Sequence, residues 1–333
     1  MPSFLVIQTA FIGDVVLATA LVEKLHLHFP DSSIDFLLRK GNEDLLKGHP
    51  FINNVIIWDK KKAKTKNLFK IIVCVRSNHY DYVVNVQRFM STGLMTALSG
   101  ARERIGFDKN PLSHWFTRKE IHTIATGVHE IRRNQKLIEG ITDAQPARPR
   151  LYPVQADYDL IDQYRKTGQG HGYLCIAPTS VWYTKQYPKE KWIELINLLG
   201  NKLSIYLLGG PKDKGDCEAI RTGSTNSAVV NLAGELSFLE SAALMQFARM
   251  NFVNDSAPMH LASAVNAPVA AVFCSTTPDF GFGPLSDTSF IIETSEKLSC
   301  RPCGLHGFNA CPQGHFKCAV TIDKKQLVKT IEE

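Results

Sequence analysis

"YLCIAPTSVWYTKQYPKEKWIELINLLGNKLSIYLLGG", residues 173–210, contains one full cycle of a repeating pattern. It opens on an apolar strand run (173–178), crosses a polar loop, continues as a helix (189–200) and closes on a second apolar run, "LSIYLLGG". Strands that are apolar throughout, joined through a helix, are the unit of a parallel sheet covered on both faces.

Downstream the cycle continues through "DKGDCEAIRT" (helix), "AVVNLAG" (strand), "SFLESAALMQFAR" (helix), "NFVND" (strand), "APMHLASAV" (helix) and "PVAAVFC" (strand). Helix ends carry matching signals. Ser237 is an expected N-cap with Glu240 three residues on, and Gly200 stops the helix that precedes "LSIYLLGG". Upstream, "FLVIQT", "SIDFLLR", "NVIIWD" and "DYVVNVQ" read as strands, with helical spacing at about 13–28 and 90–99. Between them lies "DAQPARPRLYPVQAD" (143–157), with three prolines and no periodicity, which is the expected linker. The fold class is therefore α/β: two open parallel-sheet domains, 1–152 and 153–333, facing a cleft where ligands belong. The last helix is a candidate to pack back on the first domain.

Composition sets outer bounds. Of 333 residues, 44% are hydrophobic and 21% charged, as in ordinary globular chains. No apolar run approaches the ~20 residues needed to span a bilayer, and "MPSFLVIQTAFIGD" lacks signal-peptide features, so a cytoplasmic location is expected. Cys74, Cys175, Cys217 and Cys274 sit singly in apolar or helical contexts and are expected to be reduced, buried thiols. The net charge of +6 owes much to "DKKKAKTKNLFK" (59–70) and "RERIGFDKN" (102–110). Such runs are either solvated faces or sites for an anionic partner. A nucleic acid is not expected, because no basic stripe interleaves with aromatics.

Strand ends carry the polar residues. Asp14 follows Gly13 at the turn from strand to helix, where it either caps the helix or stands in the ligand crevice as a proton acceptor. Thr179 and Ser180 end a strand, with Lys185 just before the next helix. They form either a polar loop or a diphosphate cradle. Asp255 and Ser256 end another strand, with His260 one turn into the following helix, as a cap and a core histidine or as parts of a site. Neither half holds G-x-G-x-x-G, which removes the main support for a dehydrogenase. Late in the chain, Cys300, Cys303, Cys311 and Cys318, with His306 and His315 among them, suit a structural zinc site; reduced thiols or a disulfide are the other readings.

Taken in order, "IGDVVLATALVEKL", "RERIGF", "HEIRRN", Lys185-Gln-Tyr-Pro188, "LLGG" and "NDSAPMHLASA" resemble the lipopolysaccharide heptosyltransferases over nearly the whole chain. The resemblance implies a GT-B fold, with acceptor held by the first domain and ADP-heptose by the second. It implies Asp14 as general base of an inverting transfer that needs no cofactor, with Lys185 also at the reacting centre. Donor contacts would come from Thr179, Ser180, Lys185, Asp213, Leu236, Asp255, Ser256 and His260. Arg88, Arg102 and Arg104 are candidates for an anionic lipopolysaccharide-core acceptor. The implied location is the cytoplasm, peripherally on the inner face of the inner membrane.

Overall fold

A computed structural model describes residues 1–124, 127–167 and 172–332. The chain divides into two compact units, Met1–Tyr152 and Pro153–Glu333. The first contains β1 (Ser3–Ile7), α1 (Ile12–His28), β2 (Ser33–Arg39), β3 (Asn54–Trp58), α2 (Lys64–Ser77), β4 (Tyr82–Asn85), α3 (Met90–Ala97), β5 (Glu103–Phe107), β6 (Arg118–Glu120) and α4 (Glu130–Ile138). The second contains α5 (Gln155–Thr167), β7 (Tyr173–Ala177), α6 (Lys189–Leu199), β8 (Ser204–Leu207), α7 (Lys214–Gly223), β9 (Val229–Asn231), α8 (Phe238–Gln246), β10 (Met250–Asn254), α9 (Ala257–Ala264), β11 (Val269–Val272), β12 (Ser289–Ile292), α10 (Lys317–Val320) and α11 (Lys325–Glu332).

Each unit holds a six-stranded sheet, ordered β3-β2-β1-β4-β5-β6 in the first and β12-β11-β10-β7-β8-β9 in the second. Every strand pair is parallel. Counted from its own first strand, each sheet follows the same doubly wound order. Its switch point lies between β1 and β4 in one unit and between β7 and β10 in the other. Register keeps the exits of each pair level: Ile7 lies opposite Asn85, and Ala177 opposite Val253.

Helices cover these sheets as their sequences dictate. Val15 to Val22 of α1 are buried without a break, so that helix lies inside its layer rather than on it. In the second unit the core gathers Leu174, Ile176, Trp192, Leu195, Ile205 and Phe252. The α6 helix stops at Gly200, whose φ of +64° suits glycine. At α8, Ser237 Oγ accepts from Glu240 N–H at 3.2 Å and Glu240 Oε2 accepts from Ser237 N–H at 2.6 Å, the reciprocal cap expected there.

Some expectations are corrected. The helix α5 starts inside the proline-bearing stretch, because Asp157 Oδ2 caps it by accepting from Val154 N–H at 2.7 Å and Ile161 is buried. Part of the basic run is the first turns of α2, with Ile72 and Val75 as its buried side. Cys74, between those two, faces solvent, whereas Cys175, Cys217 and Cys274 are buried. The helix α11 makes contacts with α6, β10 and β12. Among the described residues no helix is long and apolar enough to cross a membrane.

Candidate active site

In a doubly wound sheet the crevice opens beyond the carboxyl ends of the strands on either side of the switch point, where successive connections depart in opposite directions. In the first unit that place is formed by the loops leaving β1 and β4. Gln8 Oε1 accepts from Gln87 Nε2 at 2.5 Å and from Ala10 N–H at 3.1 Å, which ties the two exits together. Asn110 Nδ2 donates to the carbonyls of Gln87 and Phe89, so the β4 exit is held from its other side.

Asp14 lies in the first turn of α1 and is partly buried. Its Oδ2 accepts from Phe11 N–H at 3.1 Å, so the capping contact exists. Burial, and then the Glu130 carboxylate, nevertheless push its pKa up to about 6. Its hydrogen bonds from the Phe11 and Asp14 amides, and then the Arg39 charge, pull the other way. A carboxyl poised there is ionised at neutral pH yet more basic than a free one.

Charges around Asp14 come from the ends of neighbouring strands. Arg39, the last residue of β2, holds its guanidinium 5.0 Å from the centre of the Phe11 ring. Lys60, just past β3, donates to the Thr9 carbonyl at 2.7 Å and lies 4.8 Å from the Trp58 ring centre. Burial, followed by repulsion from Arg39 and Lys64, lowers its pKa to about 8. Beside it runs a groove of about 530 Å³ whose apolar lining includes Trp58, Leu68, Phe89 and Leu94, with Lys60 and Lys64 among them. Arg88 is exposed on the β4 exit. With burial as the main cause, Arg88 and Arg133 help hold His122 down to about 4, hence neutral.

Arg102 and Arg104 are placed elsewhere. They stand at the amino-terminal end of β5, away from the β1 and β4 exits, because a parallel strand carries its first residues to the opposite sheet edge. Arg104 is engaged there by the carbonyls of Ala101 (2.8 Å) and Trp115 (3.3 Å).

In the second unit the β7 and β10 exits are pinned together by Asn254. Its Nδ2 donates to Pro178 O at 2.8 Å and its Oδ1 accepts from Tyr187 N–H at 2.9 Å. That fixes the segment bearing Thr179, Ser180 and Lys185 against Asp255 and Ser256. Lys185 Nζ pairs with Asp255 Oδ2 at 2.7 Å, with side chains only 15% and 7% exposed. The same oxygen accepts from Thr276 Oγ at 2.6 Å. Ser256 is the N-cap residue of α9, and His260 is buried one turn on, edge-on to Phe282. Thr179 and Ser180, just past β7, are partly exposed.

On the next two strand exits, Asp213 and Leu236 occupy neighbouring loops. Asp213 Oδ2 accepts from Gly210 N–H at 2.7 Å, a local cap. Gly234, with φ +80°, is required by close packing: a Cβ there would meet the Pro211 Cα at 2.8 Å. Glu235 pairs with Lys214 at 2.5 Å across the two loops.

Of the readings open for the late cysteines, the structure places them as thiols rather than as a tetrahedral zinc site. All four are free thiols, and among the described residues no group of three or more His, Cys, Asp or Glu is placed to hold a metal ion. Cys318 belongs instead to the apolar core around Phe316, with Cys311 packed against that cluster. Of the residues missed by the sequence reading, Arg39, Gln8, Gln87 and Asn254 share one signal, being polar and standing in the last position of a strand or within two residues of it, whereas Thr276 lies four residues past β11.

Two doubly wound sheets in one chain, each with polar loops at its switch point, make up the two-domain α/β architecture of the GT-B fold. The chain belongs to glycosyltransferase family 9 (heptosyltransferase), whose model matches residues 68–305. It is 29% identical over 278 residues to lipopolysaccharide heptosyltransferase 3 of Escherichia coli, covering 80% of this chain and 82% of that one. Its fold matches E. coli ADP-heptose lps heptosyltransferase II with a TM-score of 0.82 at 20% identity, over 100% of this chain and 98% of the other. E. coli heptosyltransferase WaaC with ADP matches with a TM-score of 0.74 at 19% identity, over 99% of each chain. The protein is thus a heptosyl-type glycosyltransferase.

Proposed function

We propose that this enzyme moves heptose from ADP-heptose to an inner-core lipopolysaccharide acceptor, inverting the anomeric centre, with Asp14 as general base. The observation that carries the reading is a carboxylate at the β1 exit with its pKa raised to about 6. The Asp14 carboxylate takes the proton of the acceptor hydroxyl as that oxygen attacks the anomeric carbon. The bond from that carbon to the diphosphate breaks, and ADP leaves with the electron pair. No covalent enzyme intermediate is needed, and catalysis rests on positioning, proton removal and stabilisation of the departing ADP.

The second unit is assigned the donor. Lys185, with Thr179 and Ser180, would neutralise the diphosphate, while Asp255, Ser256 and His260 engage the heptose and phosphates. Asp213 would lie near the ribose and Leu236 against the adenine. The first unit is assigned the acceptor. Arg88, Lys60 and Lys64 supply positive charge, and the groove beside Trp58 offers apolar surface, a combination that suits a phosphorylated glycolipid presented at a membrane surface.

The Phe11 contact favours a second reading, a sugar-nucleotide-binding protein in which Asp14 is only a cap. Asp14→Asn separates the two. A base loses roughly 10²–10⁴-fold in rate with donor affinity kept, whereas a cap leaves turnover near wild type.

A further inference from the structure

The loop 300–308, which carries the first two late cysteines, reaches both members of the Lys185–Asp255 pair by separate routes. On the lysine side the contact is Thr184, the residue before Lys185 and only 1% exposed. Thr184 N–H donates to Phe308 O at 3.0 Å, and Thr184 Oγ accepts from Phe308 N–H at 2.8 Å. The same hydroxyl oxygen accepts from Ser275 Oγ at 3.1 Å. Gly307 lies flat against this turn with φ +77°, and a Cβ there would stand 2.9 Å from Thr184 Oγ and 3.2 Å from Lys185 Cγ.

On the aspartate side the contact is Arg301. Its guanidinium donates to the carbonyls of Cys274 (2.8 Å), Phe273 (3.2 Å) and Thr276 (2.9 Å), and to Glu293 Oε2 at 2.6 Å. Cys303 N–H adds a bond to Ser275 O at 2.7 Å. The β11 exit is thereby fixed where Thr276 Oγ meets Asp255 Oδ2.

We propose that the loop 300–308 is the positioning element of the donor site, with Thr184 and Arg301 as the two positioning residues that set Lys185 and Asp255. Neither touches the donor; each holds a residue that does. The proposal rests on the assignment of Lys185 and Asp255 to the donor. An ammonium displaced by even part of an ångström loses much of a charge-assisted bond to phosphate, so the effect belongs in donor affinity rather than in acceptor affinity.

The test is ADP affinity by calorimetry, together with donor and acceptor KM, for Thr184→Val, Thr184→Ser, Gly307→Ala, Arg301→Lys and Lys185→Ala, with folding followed by circular dichroism. Thr184→Val, Gly307→Ala and Arg301→Lys are expected to raise the ADP Kd about tenfold, the scale of one or two lost hydrogen bonds, with acceptor KM unchanged. Thr184→Ser, which keeps the hydroxyl, is expected to restore wild-type affinity. If Lys185→Ala weakens ADP while the folded Thr184, Gly307 and Arg301 variants bind it like wild type, the positioning role is overturned. If Lys185→Ala itself leaves ADP affinity unchanged, the donor assignment beneath it fails. Equal losses in donor and acceptor terms would mean general destabilisation and would likewise overturn the proposal.

Discussion

Asp14→Asn keeps an oxygen that can accept from Phe11 N–H and removes only the charge. In the folded protein the Asp14 pKa rises from 3.8 to about 6, with burial as the first cause and Glu130 as the second. At about 1.4 kcal/mol per tenfold in proton affinity, holding that carboxylate ionised costs the folded state about 3 kcal/mol. Because the folded pKa lies above the unfolded one, stability from this group is fully present below 3.8. It falls as pH rises through about 6 and stays low above that. The neutral variant is therefore expected to be more stable than wild type near pH 8 by about 1–3 kcal/mol, a rise of several degrees in Tm, with the difference closing near pH 4. On the plateau above about pH 6, turnover should fall roughly 10²–10⁴-fold, and the gap should narrow as pH falls below that value. The wild-type rate should climb through about pH 6 to a plateau, and the residual rate of the variant should lack that limb. Melting curves across pH, paired with an ADP-release assay, give both readouts. A variant that is about 1 kcal/mol less stable near pH 8 yet turns over normally would refute the reasoning and leave Asp14 as a cap.

Other consequences follow from the same geometry. Lys185→Ala removes the partner of a carboxylate only 7% exposed, so it should lower stability by up to about 3 kcal/mol as well as weaken ADP; unchanged melting would show that the pair is better solvated than its contacts imply. Lys60, with its pKa lowered to about 8, should hold an anionic acceptor best below that pH and release it above; Lys60→Met should flatten that limb in the acceptor KM, and an unaltered profile would remove Lys60 from the acceptor site. Thiol labelling of the native protein should modify Cys74 first and reach Cys175, Cys217 and Cys274 only on unfolding; early labelling of those three would contradict their burial.

Much of the architecture was legible because apolar strands and capped helices are local signals. Ser33–Arg39 matches its run residue for residue, and the Ser237 and Gly200 helix ends occur as read. What escaped was decided by partners distant in sequence. The strand β6 is three charged residues, Arg-Lys-Glu, that become a strand only because β5 offers an edge. The stretch 143–157 gave no periodicity, although Leu151 within it buries itself on folding. Strand-end position drew attention to Asp14, Lys185 and Asp255, and the structure brings the last two together in one ion pair. Arg102 and Arg104 of "RERIGF" stand at the start of β5 rather than at its end. Thr184 and Arg301 were illegible because their partners, Phe308 and the carbonyls just past β11, lie 124 and 25–28 residues away.

Heptosyl transfer is measured by incubating the enzyme with ADP-heptose and a heptose-deficient lipopolysaccharide core, and reading product mass together with ADP release. The account predicts an acceptor heavier by one heptosyl residue, with ADP formed in equal amount and the anomeric configuration inverted. Transfer from a uridine-linked sugar with none from ADP-heptose, or retention of configuration, would contradict it.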